Sequence, residues 1–159
     1  MKTLDISTKK FPGTFAMVDD EDFDQLNQWK WCRAGKLGYV NAHVTINGGI
    51  KSATMHRFIM GFPEGFDVDH KDRNVLNNTR ANLRICTRGQ NMANIPGRGA
   101  SGFKGVLYRK DRKKYRAVIV YERTPIWLGV FDSAVGAAKA YNKKALELFG
   151  EFALLNAID

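Results

Sequence analysis

The chain has little of what marks a secreted or membrane protein. It carries two cysteines in 159 residues, Cys32 and Cys86, too few and too far apart for a disulfide framework or the paired spacing of a structural zinc site. Both are expected as reduced thiols. No apolar run approaches the roughly 20 residues that span a bilayer. The start, Met1-Lys2-Thr3-Leu4-Asp5, has neither the apolar stretch nor the small-residue cleavage site of a secretory signal, so a cytoplasmic protein is expected. Acids are also short, 16 Asp+Glu against 25 Lys+Arg, which leaves a net charge of +9. The length excludes a large multidomain enzyme and allows one ordinary domain or two to three very small ones. What is present is 44% hydrophobic residues with 11% aromatics, too rich for a disordered basic tail.

The positive charge is uneven. Residues 1–55 hold 7 bases and 6 acids, residues 56–97 hold 6 and 4, and residues 98–159 hold 12 and 6, so the net charges are +1, +2 and +6. The last 12 bases all lie between Arg98 and Lys144, opposed there only by Asp111, Glu122 and Asp132. Such a concentration suits a polyanion, because each Lys or Arg set on a phosphate releases condensed counterions. A membrane partner would need a basic amphipathic helix with a bulky apolar face. Here the bases alternate with strand-forming residues and an alanine-rich helix, which favours nucleic acid.

Read along the chain, Asp19-Asp20-Glu21-Asp22 suit a helix N-terminus, and Phe23 and Leu26 follow at helical spacing. Tyr39 to Ile46 alternates, and Asn47-Gly48-Gly49 predicts a hairpin turn into a strand from Lys51. His43 falls on the polar face of that strand, where it is expected to be solvated. Met55 to Gly61 is expected as a short helix, Phe66 to His70 as a strand, and residues 71–80 as a turn-rich loop. Leu83 to Cys86 returns as a strand, and Thr87-Arg88-Gly89-Gln90 fits a capping box that starts a two-turn helix. Residues 96–102 carry three glycines and are expected to form a loose linker. Strands are predicted at 103–109, 115–121 and 126–131, with turns at 110–114 and around 123–125. Ser133 then caps a helix whose stripe Ala134, Ala137, Ala138, Tyr141, Ala145 and Leu148 can lie on the sheet, with Gly150 ending it. The fold class is α+β.

One constellation has the ingredients of a reaction centre: Asp69-His70, then Asn82, then Asn91. A carboxylate and a carboxamide oxygen are hard donors suited to Mg2+, which takes only one or two protein oxygens and keeps several waters. A histidine beside them, with an ordinary pKa of about 6.5, can accept a proton from water. Adjacent strand residues point to opposite faces. Asp69 and His70 are therefore expected to share a site only where the strand ends.

The spaced residues Met55-His56-Arg57, Val68-Asp69-His70-Lys71-Asp72, Leu76-Asn77-Asn78-Thr79-Arg80-Ala81-Asn82-Leu83-Arg84 and Thr87-Arg88-Gly89-Gln90-Asn91 resemble the HNH endonucleases of phage and homing type. The resemblance implies a beta-beta-alpha-metal finger over residues 56–97. It implies His70 as general base, Asp69 and Asn91 as ligands of one Mg2+ (or Mn2+), and Asn82 as the residue that braces the loop and orients the histidine. The third family letter, often His, is Asn91 here, which disfavours zinc. The implied products carry 5'-phosphate and 3'-hydroxyl ends. Arg88 either steadies the phosphate or is a solvated cation of the first helical turn. His56 is expected at the start of its segment in a structural role, or else near DNA.

Residues 98–159 resemble the plant APETALA/ethylene-response-factor (ERF) DNA-binding domain through Phe103-Lys104-Gly105-Val106, Tyr115-Arg116-Ala117-Val118-Ile119, Trp127-Leu128-Gly129-Val130-Phe131 and Ala137-Ala138-Lys139-Ala140-Tyr141-Asn142. That likeness implies a three-stranded sheet docked in the major groove with a helix behind it. The DNA-facing set is then Lys104, Arg109, Arg112, Lys114, Arg116 and Trp127, with Leu107, Val118 and Val120 where the plant family has charged, base-reading residues. Arg112 and Lys114 have the alternative of lying in a plain solvated turn.

The expectation is thus an N-terminal segment over 1–55, a nuclease module over 56–97 and a docking domain over 98–159, acting together on double-stranded DNA. Neither a membrane nor a protein partner is implied, and a phage-encoded chain would work in the host cytoplasm. Removing residues 98–159 is expected to weaken binding without abolishing the finger's chemistry. The rival expectations are an inactive, sequence-specific DNA-binding regulator and an RNA-binding module.

Overall fold

Turn chemistry and alternation build the first of two units, residues 1–87. Strands β1 (Lys2–Asp5) and β2 (Phe15–Val18) pair antiparallel. The acids then open helix α1 (Asp20–Leu26), with Asp20, Glu21 and Asp22 in a first turn whose unpaired N–H groups favour negative charge. Strands β3 (Cys32–Ala34), β4 (Tyr39–Ile46) and β5 (Gly49–Thr54) form an antiparallel sheet in that order. Along β4, Val40, Ala42 and Val44 are buried, whereas His43 and Thr45 are exposed. Asn47 and Gly48, at φ 51° and 75°, make the two-residue turn of the hairpin, which needs left-handed backbone at both positions. Helix α2 (Met55–Ile59) comes next, and strand β6 (Asp67–His70) pairs antiparallel with β7 (Leu83–Cys86).

A single buried core runs through this unit, from Leu4 and Val18 through Trp31 and Val44 to Val68 and Leu83. Trp31 is fixed in it by its indole N–H, which donates to the Leu26 carbonyl at 2.8 Å. The N-terminal segment and the β6–β7 hairpin are therefore one packed body. The computed structural model describes every residue except Arg98 and Asp159.

The second unit, residues 88–159, begins with helix α3 (Arg88–Ala93). Strands β8 (Val106–Arg109), β9 (Lys114–Tyr121) and β10 (Thr124–Phe131) form an antiparallel sheet with β9 in the middle. The turn expected around 123–125 falls earlier, at Glu122 and Arg123, whose φ values are 48° and 65°. Pro125 sits inside the edge strand β10 instead, where a missing N–H is tolerated. Helix α4 (Ala134–Phe149) starts where Ser133 Oγ accepts the Gly136 N–H at 3.0 Å. It buries Ala137, Ala138, Tyr141, Ala145 and Phe149. The small side chains bring it close to the sheet, and Gly105, at φ 72°, has no room for a Cβ, which would overlap the Tyr141 ring and lie 2.6 Å from the Val118 carbonyl oxygen.

Two expectations need correcting. The glycines near residue 97 are not the marks of a loose linker: a Cβ on Gly97 would run into the Lys104 backbone, and Ser101 Oγ donates to the Val106 carbonyl at 2.7 Å. Close approach at Gly97 and left-handed backbone at Gly102, with φ 76°, rather than flexibility, select glycine there. Nor does α3 stand apart from the sheet and helix of its unit. Ala93 lies in the core with Ile119, Tyr141, Ala145 and Phe149, and its carbonyl accepts the Leu154 N–H at 3.1 Å. A chain cut at residue 97 would strip α3, and with it Asn91, of its packing. Among the described residues no helix is long and apolar enough to cross a membrane.

Candidate active site

His70 ends β6, and the residue is 3% exposed. Its Nε2 lies 3.3 Å from Asn78 Oδ1. The Asn78 amide cannot turn over freely, because its Nδ2 donates to the Val75 carbonyl at 3.2 Å. An amide oxygen only accepts, so Nε2 carries the hydrogen and Nδ1 is the acceptor of the ring. Asn78 is itself fully buried, and its backbone N–H donates to the Met17 carbonyl at 2.8 Å while the Met17 N–H donates to Leu76 at 2.8 Å. Strand β2 thus pins the residue that sets the histidine tautomer.

The acids expected only to start α1 hold the same loop. Asp19 Oδ2 accepts the Arg80 backbone N–H at 2.7 Å, and Asp22 takes the Arg80 guanidinium at 2.9 and 2.6 Å. Glu21 joins at 2.9 Å. Sequence periodicity carries no signal for this link, which spans 58 residues between Arg80 and Asp22.

Two further rings close around His70. The centroid of His56 is 5.0 Å away, edge-on, and that of Tyr39 is 6.1 Å away, stacked. Tyr39 and His56 are 4.9 Å apart. His56 Nε2 lies 3.4 Å from Thr54 Oγ1, so the residue joins its helix start to the histidine site. Burial lowers the pKa of His56 to about 3, with the neighbouring His70 and Arg57 adding to the effect. Burial lowers His70 as well, while the Asn78 bond and the Asp72 and Asp69 carboxylates pull the other way. His70 is therefore a neutral base at neutral pH.

Asn82, 8% exposed, ties the loop ends together. Its Nδ2 donates to Asp72 Oδ1 at 2.9 Å and to the Asn77 carbonyl at 2.8 Å, and its Oδ1 accepts the Asp72 N–H at 3.1 Å. Burial pushes the Asp72 carboxyl up, but hydrogen bonds from Asn77, the Asn74 backbone and Asn82 outweigh it and hold the pKa below the ordinary value. Asn82 makes these bonds within the loop, and Asn78 lies against the His70 ring. In the sequence Asn78 stands among turn formers inside the stretch that resembles the HNH endonucleases, with no role attached to it, and Tyr39 is a strand residue.

Asp69, 7% exposed, stands opposite Arg84 in the hairpin register, and its Oδ2 accepts from Arg84 Nε at 3.0 Å and a terminal guanidinium nitrogen at 2.8 Å. By strand parity His70 shares the inward face of Val68 and Asp69 shares that of Arg84. Asn91 is carried by α3 in the second unit, and the exposed Arg88 opens that helix. Among the described residues no group of three or more His, Cys, Asp or Glu is arranged to hold a metal ion. What Asp69 and Asn91 offer is a carboxylate and a carboxamide, hard oxygens whose chemistry fits Mg2+ or Mn2+.

A family model described as HNH endonuclease matches residues 59–93, the stretch that contains Asp69, His70, Asn82 and Asn91. An uncharacterized HNH endonuclease of Acanthamoeba polyphaga mimivirus is 34% identical over 153 residues, which cover 92% of this chain and 77% of that protein. The chain belongs to the HNH endonuclease family. Protein 3.8 of Escherichia phage T7 is 32% identical over 93 residues, covering 57% of this chain and 76% of the phage protein. No solved structure matches. Membership in the HNH family points to a nuclease whose substrate is DNA, and HNH nucleases are generally divalent-metal dependent.

In the second unit the register sets Leu107, Arg116 and Val130 side by side, and Val118 beside Trp127. Directly opposite residues share a face, and this is the face turned away from Ala117 and Ile119, which are buried in the unit's core. The Arg116 guanidinium lies 4.6 Å from the Trp127 ring centre, and its Nε–H has no hydrogen-bond partner among the described residues. Arg109 makes a two-pronged pair with Asp111 at 2.9 Å, Arg112 approaches the same carboxylate at 3.8 Å, and Lys114 pairs with Asp132. Lys104 is a correction. Expected on the sheet face, it precedes β8, and its ammonium donates to the Met92 and Ala93 carbonyls at 3.1 and 2.5 Å, capping α3. Burial lowers its pKa to about 8.

Proposed function

We propose that the chain is a phage- or homing-type HNH endodeoxyribonuclease that hydrolyses phosphodiester bonds of duplex DNA, with its reacting groups within residues 56–97. The observation that carries this reading is the buried His70, whose Nε2–H rests on Asn78 and whose Nδ1 is the acceptor of the ring. Nδ1 takes the proton of a water that attacks the phosphorus. Asn78 keeps the tautomer, Tyr39 and His56 keep the ring in place, and Asn82 holds the loop that carries Asn78. Asp69 and Asn91 would hold a Mg2+ or Mn2+ ion, which when bound offsets charge on the phosphate and the leaving oxygen. Arg88 steadies the phosphate.

Residues 98–159 are proposed as an ERF-like docking domain, in which Arg109, Arg112, Lys114, Arg116 and Trp127 meet the duplex. The support is the exposed sheet face with its basic β8–β9 turn and the net charge of +6 in that segment. Phosphate contacts from such residues supply affinity that falls with salt.

The test is nicking of supercoiled plasmid in Mg2+ by the full chain and by His70→Ala. Cleavage by the former alone, leaving 5'-phosphate and 3'-hydroxyl ends, is expected. Undiminished nicking by His70→Ala would overturn the assignment, and salt-sensitive duplex binding with no nicking by either would favour an inactive regulator.

A further inference from the structure

The outer face of the β8–β9–β10 sheet is unusual for a surface that meets a polyanion, because apolar side chains surround Arg116 at its centre. Leu107 is 52% exposed, Val120 57%, Trp127 54% and Val130 43%, and Val118 lies among them by register. Apolar side chains contribute nothing to phosphate contacts, and a contiguous exposed apolar patch marks a site of interaction. The other cations sit at the margin, on and beside the β8–β9 turn, as Arg109, Lys110, Arg112, Lys113 and Lys114. That layout gives the face a positive excess, which favours an anionic partner over a second copy of the same positive chain. It fits a partner whose rim is anionic and whose floor presents apolar groups. Duplex DNA has such a surface in the major groove, where the thymine C5-methyl is the apolar group on the base edges.

Resting on the docking role proposed for this domain, we infer that this sheet face selects thymine-rich duplex, with Leu107, Val118, Val120 and Val130 packing against thymine methyl groups. Trp127, with the Arg116 guanidinium on its ring, forms the rigid part of the face. Arg109 and Lys114 stand on the same face at its basic end and take phosphates. Selection is by shape and desolvation, so a base lacking the methyl is penalised and a cytosine given one gains.

The experiment uses the full chain without divalent metal, so that binding is read without cleavage. Affinity is measured at one salt concentration for duplexes of equal length: alternating dA–dT, the same with deoxyuridine for thymidine, alternating dG–dC, and dG–dC with 5-methylcytosine. The dA–dT duplex is expected to bind about fourfold more tightly than its uracil counterpart for each methyl covered, from the transfer value of one buried carbon group. Methylation of cytosine is expected to tighten dG–dC binding in the same sense. Val118→Thr with Val120→Thr should shrink the thymine-to-uracil ratio while leaving the salt slope unchanged. Equal affinity for the thymine and uracil duplexes would overturn the inference and leave docking intact. Absence of salt-dependent binding to every duplex would instead overturn the docking role itself.

Discussion

Asn78→Ala tests the tautomer assignment most directly. The substitution removes the Oδ1 that faces His70 Nε2 at 3.3 Å and the Nδ2 that donates to Val75 at 3.2 Å. Each hydrogen bond contributes about 1 kcal/mol net, and stranding the buried His70 N–H adds about 1–3 kcal/mol. The loss should therefore be about 3–5 kcal/mol, which most of the ordinary stability range of about 5–15 kcal/mol absorbs. The backbone anchor from Asn78 N–H to Met17 remains, so the loop keeps its path. The chemical effect should be larger than the structural one. Without the amide oxygen the ring loses the contact that fixes its tautomer and its orientation together, and the fraction of histidine presenting a basic Nδ1 in position falls. A single-turnover nicking rate lowered at least about tenfold is expected, equivalent to about 1.4 kcal/mol of lost transition-state stabilisation. Urea unfolding of the same sample separates the two effects. Asn78→Asp is the companion variant: a carboxylate there would favour the charged imidazolium and move the acid limb of the rate profile to higher pH. A wild-type rate for Asn78→Ala, in a background where His70→Ala is inactive, would refute the reasoning.

Three other outcomes are expected. The unfolded chain takes up protons on His56 and His70 below about pH 6.5, while burial keeps both neutral in the fold. Stability should then fall as pH drops below that value, by up to about 1.4 kcal/mol per pH unit for each histidine, and urea titrations of wild type and His56→Phe between pH 7.5 and 5 should differ in that slope. Arg80→Ala should cost about 2 kcal/mol by leaving the buried Asp22 carboxylate without its charged donor, read as a lowered urea midpoint and relieved in the double variant with Asp22→Asn. Gly105→Ala should be worse than any surface substitution, more than about 3 kcal/mol, because the added methyl meets the Tyr141 ring in a left-handed backbone; a lowered Tm followed by far-UV circular dichroism checks it.

Local rules were enough for much of the chain. Alternation along β4, the Asn47-Gly48 turn, the Ser133 cap and the alanine stripe of α4 are short-range patterns, and each produced its element because nothing in the core opposed it. The order Asp69, His70, Asn82 and Asn91 was likewise legible, as part of the motif that resembles the HNH endonucleases. Packing decided the rest. Asn78, Tyr39 and His56 reach His70 only because β2, β4 and α2 share one core with the β6–β7 hairpin, and contacts of that kind leave no period in the sequence. Lys104 read as one more cation for phosphate until its ammonium was seen on the carbonyls of α3, where the end of a helix offers unpaired acceptors. The motif residues by themselves carried the resemblance to the family; the tertiary structure decided which neighbours surround the histidine, because those contacts come from elements far apart in the chain.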